Sequence, residues 1–95
     1  MAEYTVKIIP QAKEQMSEIF RYIAKTLLEP DAVLKLLSKI KNAVLSLETM
    51  PNRIALTEEE PWHSRSIHKM PVQNFFVYFW VDESKKEVHV TAVIY

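Results

Sequence analysis

The imidazoles of the chain are His63, His68 and His89, spaced by 5 and 21 residues. A helix-borne zinc pair needs two histidines one turn apart, so these read as ordinary surface histidines and no shared zinc site is expected. Glu58, Glu59 and Glu60 follow one another just before Pro61, and a run of like charge is ordinarily a solvated loop. Acid–base work by two carboxylates needs separate positions with different environments; no such pair is legible. The basic residues are more suggestive. Arg53, Arg65, His68 and Lys69 gather around one candidate strand. In an extended chain Arg65, Ile67 and Lys69 share one face, with Ile67 as the apolar residue, and Ser66 and His68 share the other. Solvated charge is the plain reading of this group, and a phosphate-binding rim is the chemical one. Phe75, Phe76, Tyr78, Phe79 and Trp80 crowd a further strand. Such an array can stack nucleobases, but two amphipathic helices need a sheet face to cover, and the strand reads as core.

The elements that position these residues follow from hydrophobic period. Tyr4, Val6 and Ile8 alternate up to Pro10, a short strand. From Gln11 the period changes: Ala12, Met16, Ile19, Phe20, Ile23 and Leu27 form one helical stripe. Glu29-Pro30-Asp31 breaks that helix, because proline cannot continue it, and Asp31 suits the start of a second. Val33, Leu36, Leu37, Ile40, Val44 and Leu47 are the second stripe. So short a link predicts an antiparallel helical hairpin. Residues 51–62 lack periodicity and read as an exposed loop with an acidic tip. Residues 64–70 predict a strand, 71–74 a turn, 75–81 a strand covered on one or both faces, and 82–86 a polar hairpin link. Val88, Val90, Ala92 and Ile94 then share one face of a last strand ending at Tyr95, with His89 out of phase. The order β-α-α-β-β-β predicts a single α+β domain over residues 1–95, its N-terminal helical hairpin packed on a small, mainly antiparallel sheet.

Composition narrows the chemistry further. Lysine plus arginine and aspartate plus glutamate number 12 each, so bulk attraction to nucleic acid or an anionic membrane is not available. Cysteine is absent, which removes disulfides, thiolate chemistry and cysteine–zinc sites. Glycine is absent too, and with it the P-loop and the dinucleotide fingerprint, so no cofactor is expected. Every turn must then be made without the one residue that takes a positive φ freely. No apolar run reaches the roughly 20 residues of a membrane span, and the first residues lack a secretory pattern. The reading is a cytoplasmic protein.

Three phrases resemble the RelE/ParE superfamily of bacterial toxins from type II toxin–antitoxin operons, often labelled plasmid stabilisation proteins. They are EIFRYIA (18–24), SLETMPNR (46–53) and RSIHKMPVQNFFVYFWVDESKKEVHVTAVIY (65–95), within a likeness that runs the length of the chain. The resemblance implies one of two activities. RelE-like members cut mRNA at the ribosomal A site, using basic residues and at times a tyrosine or histidine on the ribose 2′-hydroxyl and the phosphate. ParE-like members keep the fold and inhibit DNA gyrase without cutting RNA. Both are held inactive by a cognate antitoxin.

Residue by residue, the likeness to the nucleases is partial. Lys69 matches a basic position of the second sheet strand. Ile67 stands where another lysine is common, Phe76 where many carry an arginine, and Phe79 and Trp80 where a tyrosine and an arginine recur. The resemblance makes Lys69, Arg65, His68 and Tyr95 the candidate catalytic residues of an mRNA endonuclease, although Tyr95, as the last strand residue, reads more readily as packing. The family commonly continues past the last strand with an arginine pair; this sequence stops at Tyr95. The expectation is a toxin of RelE-like endoribonuclease type in complete form, inactivated by loss of a short basic tail. Losing one positioned donor costs roughly 2.7–4 kcal/mol of transition-state stabilisation. The alternative is a ParE-like gyrase inhibitor or a degenerate module that keeps only antitoxin binding.

Overall fold

The computed structural model describes residues 3–27 and 30–94, with Leu27 as backbone alone. Strand β1 (Thr5–Ile8) leads into helix α1 (Pro10–Leu27), followed by helix α2 (Pro30–Leu45). Short 3₁₀ turns at Ser46–Glu48 and Pro51–Arg53 precede strands β2 (His68–Val72), β3 (Phe75–Asp82) and β4 (Glu87–Ile94). Both helices start on a proline, whose fixed φ and missing N–H suit a first helical position. The Leu28-Glu29 link between them lies outside the described residues.

The four strands form one sheet in the order β1-β4-β3-β2, with β1 parallel to β4 and the other two pairings antiparallel. The helices pack on each other and cover one face. Ala12 and Ile23 of α1 and Ile40 and Val44 of α2 meet Met70, Val72, Phe75, Val77, Phe79, Val88, Val90 and Val93 from the sheet in one core. Gln15 of α1 adds a polar tie, its Oε1 accepting the Val93 N–H at 3.0 Å. The expected α+β arrangement is the one observed, and among the described residues no helix packs on the opposite sheet face.

Several local expectations change. The strand predicted at 64–70 begins at His68, and residues 61–66 are turns. Ser66, with φ 59°, holds the left-handed backbone that no strand residue adopts. The strand continues through Pro71, tolerated because β2 is the last strand of the sheet. Its inward residues are therefore His68, Met70 and Val72, and not Ile67. His68 is buried and not a surface histidine.

The 51–62 segment is only partly an exposed loop. Leu56 bridges to His68, the Thr57 N–H bonds to the Ile67 carbonyl at 2.8 Å, and Pro51 and Thr57 are buried. Glu58, Glu59 and Glu60 are exposed as expected. In β4, Val88 and Val90 point inward, but Ala92 and Ile94 do not join them. The register with β3 shifts between Tyr78 and Phe79, so that Tyr78 faces Ala92 while Phe79 faces Val90. Thr91 is the extra residue, and a one-residue bulge exchanges the faces, burying Val93 and exposing Ile94.

Candidate functional site: the uncovered sheet face

Strand alternation builds this face. Phe75, Val77 and Phe79 enter the core, so Phe76, Tyr78, Trp80 and Asp82 leave the sheet on the other side. Phe76 and Trp80 are each 36% exposed, although the whole run reads as core by hydrophobicity. From β2 the face receives Lys69, directly opposite Tyr78, and from β4 it receives His89 and Glu87, opposite Trp80 and Asp82. Lys7 of β1, opposite His89, completes it.

The side chains are paired within the face. The Lys69 ammonium lies 4.3 Å from the centre of the Phe76 ring and 3.7 Å from Glu59 Oε1. His89 stacks on Trp80 with ring centres 4.4 Å apart and planes within 11°. Its Nε2 stands 3.4 Å from Glu87 Oε1, and the other Glu87 oxygen takes the Lys7 ammonium. The Lys7 hydrogen bond holds the Glu87 carboxyl below its ordinary range. A cavity of 150 Å³ lies beside this array, with Glu59, Trp62, Ile67, Tyr78, Thr91 and Ile94 among its lining residues.

The candidate catalytic residues are dispersed. Lys69 is on the uncovered face. His68, its neighbour in sequence, points to the helix side, where its ring stacks on Phe79 with centres 4.8 Å apart and its Nδ1–H donates to the Ile54 carbonyl at 2.7 Å. Arg65 lies in the exposed turn before β2 and makes no ion pair among the described residues. Tyr95 lies outside the described residues. His68 and Lys69 thus stand on opposite sides of the sheet. Trp62 is the site residue that sequence reasoning passed over, whereas Tyr78 and Trp80 belong to the aromatic array that reads as core. The period-2 spacing of Phe76, Tyr78 and Trp80 is the signal that puts them on the other face.

The comparisons with known proteins bear on this arrangement. The family profile described as "ParE toxin of type II toxin-antitoxin system, parDE" matches residues 6–95. No curated protein sequence matches. Among solved structures, the chain is similar to one from the chromosomal ParDE toxin–antitoxin system of P. aeruginosa. The TM-score is 0.76 at 19% identity, covering 97% of this chain and 95% of that one. It is also similar to a chain of the RelBE2 toxin–antitoxin complex of Mycobacterium tuberculosis, with a TM-score of 0.66 at 15% identity and 98% of each chain covered. At such identities the two structures speak for the fold, and the profile match over nearly the whole length speaks for the family. The chain belongs to the ParE toxin family of type II toxin–antitoxin systems.

Proposed function

We propose that this toxin arrests growth by binding a protein target, DNA gyrase in the manner of ParE-like members, and that a cognate antitoxin neutralises it. The observation that carries the reading is the chemistry of the uncovered face. Its two lysines, Lys7 and Lys69, are each matched by a glutamate, and its exposed area is aromatic. Cleavage of a phosphodiester needs cations aimed at charge that develops on phosphate, each worth roughly 2.7–4 kcal/mol. A face of Phe76, Tyr78 and Trp80 with glutamate-paired lysines is suited to burying area against a protein, where aromatic anchors dominate binding. The antitoxin follows from the family and from the two similar structures, both from toxin–antitoxin systems.

A RelE-like ribosome-dependent cut of mRNA is the second reading, and Lys69 on the uncovered face is what favours it. In that reading Lys69 holds the reacting phosphate and Arg65, in the exposed turn, contacts the RNA backbone. One pair of assays separates the two. The purified chain is titrated into a gyrase supercoiling reaction and, in parallel, into a cell-free translation reaction whose mRNA 5′ ends are mapped. Loss of supercoiling with no new 5′ ends is the expected result. New ends that require translating ribosomes, with supercoiling intact, overturn it.

A further inference from the structure

We propose that Asp82, Glu87 and His89, at the turn end of the β3–β4 hairpin, form a binding site for a divalent transition-metal ion, zinc by the preference of its donors. Asp82 and Glu87 are directly opposed across the hairpin, and His89 follows Glu87 by two residues on the same face. One nitrogen and two carboxylate donors thereby converge on one corner, all within 4.8 Å of one another and all partly buried. Donors at about 2.1 Å around a tetrahedral ion lie about 3.4 Å apart. His89 Nε2 and Glu87 Oε1 already stand 3.4 Å apart, one edge of such a site, and a modest side-chain rotation brings in Asp82.

The surroundings orient each donor. Trp80 stacks on the His89 ring and fixes its plane, so that Nε2 is directed at the carboxylates. Asp82 is held through Oδ1, which accepts from the Ser84 hydroxyl at 2.7 Å and from the Ser84 and Lys85 N–H groups at 3.1 and 3.2 Å. Its second oxygen is left for an ion. Groups that grip the ligands from behind in this way raise metal affinity. Two like charges directly opposed across a strand pair are unfavourable, and a cation between them relieves this.

An imidazole with two carboxylates suits zinc better than magnesium or calcium, which favour all-oxygen shells. Three protein donors leave a fourth position for water beside Trp80. Lys7 is the opposing element, since its ammonium already occupies one oxygen of Glu87. The site does not depend on which target the toxin takes.

The test is calorimetric titration of zinc chloride into the metal-free chain in a non-chelating buffer, with cobalt(II) absorption as a second readout. One saturating equivalent is expected, with d–d bands of nitrogen–oxygen tetrahedral coordination. Trp80 emission, read in a Trp62→Phe background, should change with the same saturation. Asp82→Asn keeps an oxygen for the turn, and His89→Gln keeps a polar side chain. Each should weaken binding more than about a hundredfold while circular dichroism stays native, since loss of an orienting partner alone costs 10–100-fold. Lys7→Gln should tighten binding about tenfold by removing a competing cation. No heat and no spectral change at millimolar zinc, or binding that survives both ligand substitutions, overturns the site.

Discussion

His68 and Lys69 are consecutive in β2 and leave the sheet on opposite sides. The imidazole stacks on buried Phe79 while the ammonium lies over half-exposed Phe76. Their roles therefore separate cleanly. His68→Ala removes a buried ring and the donor to the Ile54 carbonyl, a loss of about 2–4 kcal/mol. Lys69→Ala removes a partly screened ion pair and a cation–π contact, together about 1 kcal/mol or less. Urea denaturation of the two variants should show this contrast, and growth arrest on induction should persist in Lys69→Ala.

The same division runs through β3. Phe79 is fully buried and Phe76 is 36% exposed. Truncation of Phe79 to alanine should cost about 3–5 kcal/mol, a large share of the roughly 5–15 kcal/mol that holds such a domain folded. Phe76→Ala should cost about 1 kcal/mol or less. Equal losses in denaturant unfolding would show that the uncovered face is packed like the core.

Trp80→Ala tests the uncovered face as a binding surface. Its ring contacts His89 and is otherwise turned outward. Gyrase inhibition should weaken by at least about tenfold, the size expected of an aromatic anchor. The melting temperature should fall by only a few degrees. Full inhibition by a folded Trp80→Ala protein would move the target interface elsewhere.

With no glycine, four described residues hold a left-handed backbone: Met50, Ser66, Gln73 and Lys86. Gln73 sits in the two-residue turn between β2 and β3 with φ 56°, and among the described residues its side chain makes no hydrogen bond. Gln73→Gly should stabilise the protein by about 0.5–1 kcal/mol, the steric relief outweighing the flexibility gained by the unfolded chain. Thermal unfolding should record a rise of several degrees. A fall would mean that the unfolded-state entropy dominates.

Tyr4 ties the start of β1 to the β3–β4 hairpin, its hydroxyl donating to Glu83 at 2.9 Å. That hydrogen bond is the main reason the phenol is held above its ordinary value. A raised pKa means that the stabilisation is fully present below the unfolded value near 10 and is lost as pH rises through the folded value. Tyr4→Phe should therefore flatten the alkaline fall in stability, as measured by denaturant midpoints between neutral pH and about pH 11. An unchanged alkaline limb would show that another group controls it.

Periodicity along the chain was sufficient for the two helices and for the number and chain order of the strands, though not for the bounds of β2. The stripe from Ala12 to Ile23, the alternation from Tyr4 to Ile8 and the prolines at 10 and 30 are local signals that no later packing overrode. Membership in the toxin superfamily was legible for the same reason, since the matching phrases are runs of apolar and basic residues. Three things only the tertiary structure decided. Which face of 64–72 turns inward depends on where the strand begins, and Ser66 moves that point past Arg65 and Ile67, so that His68 enters the core. Which residues of β4 follow Val90 inward depends on the bulge at Thr91, a pairing with β3 that hydrophobicity does not encode. The convergence of Asp82, Glu87 and His89 depends on hairpin register, because residues five and seven positions apart become neighbours only when the strands pair. Period is a property of one segment, whereas register is a property of two.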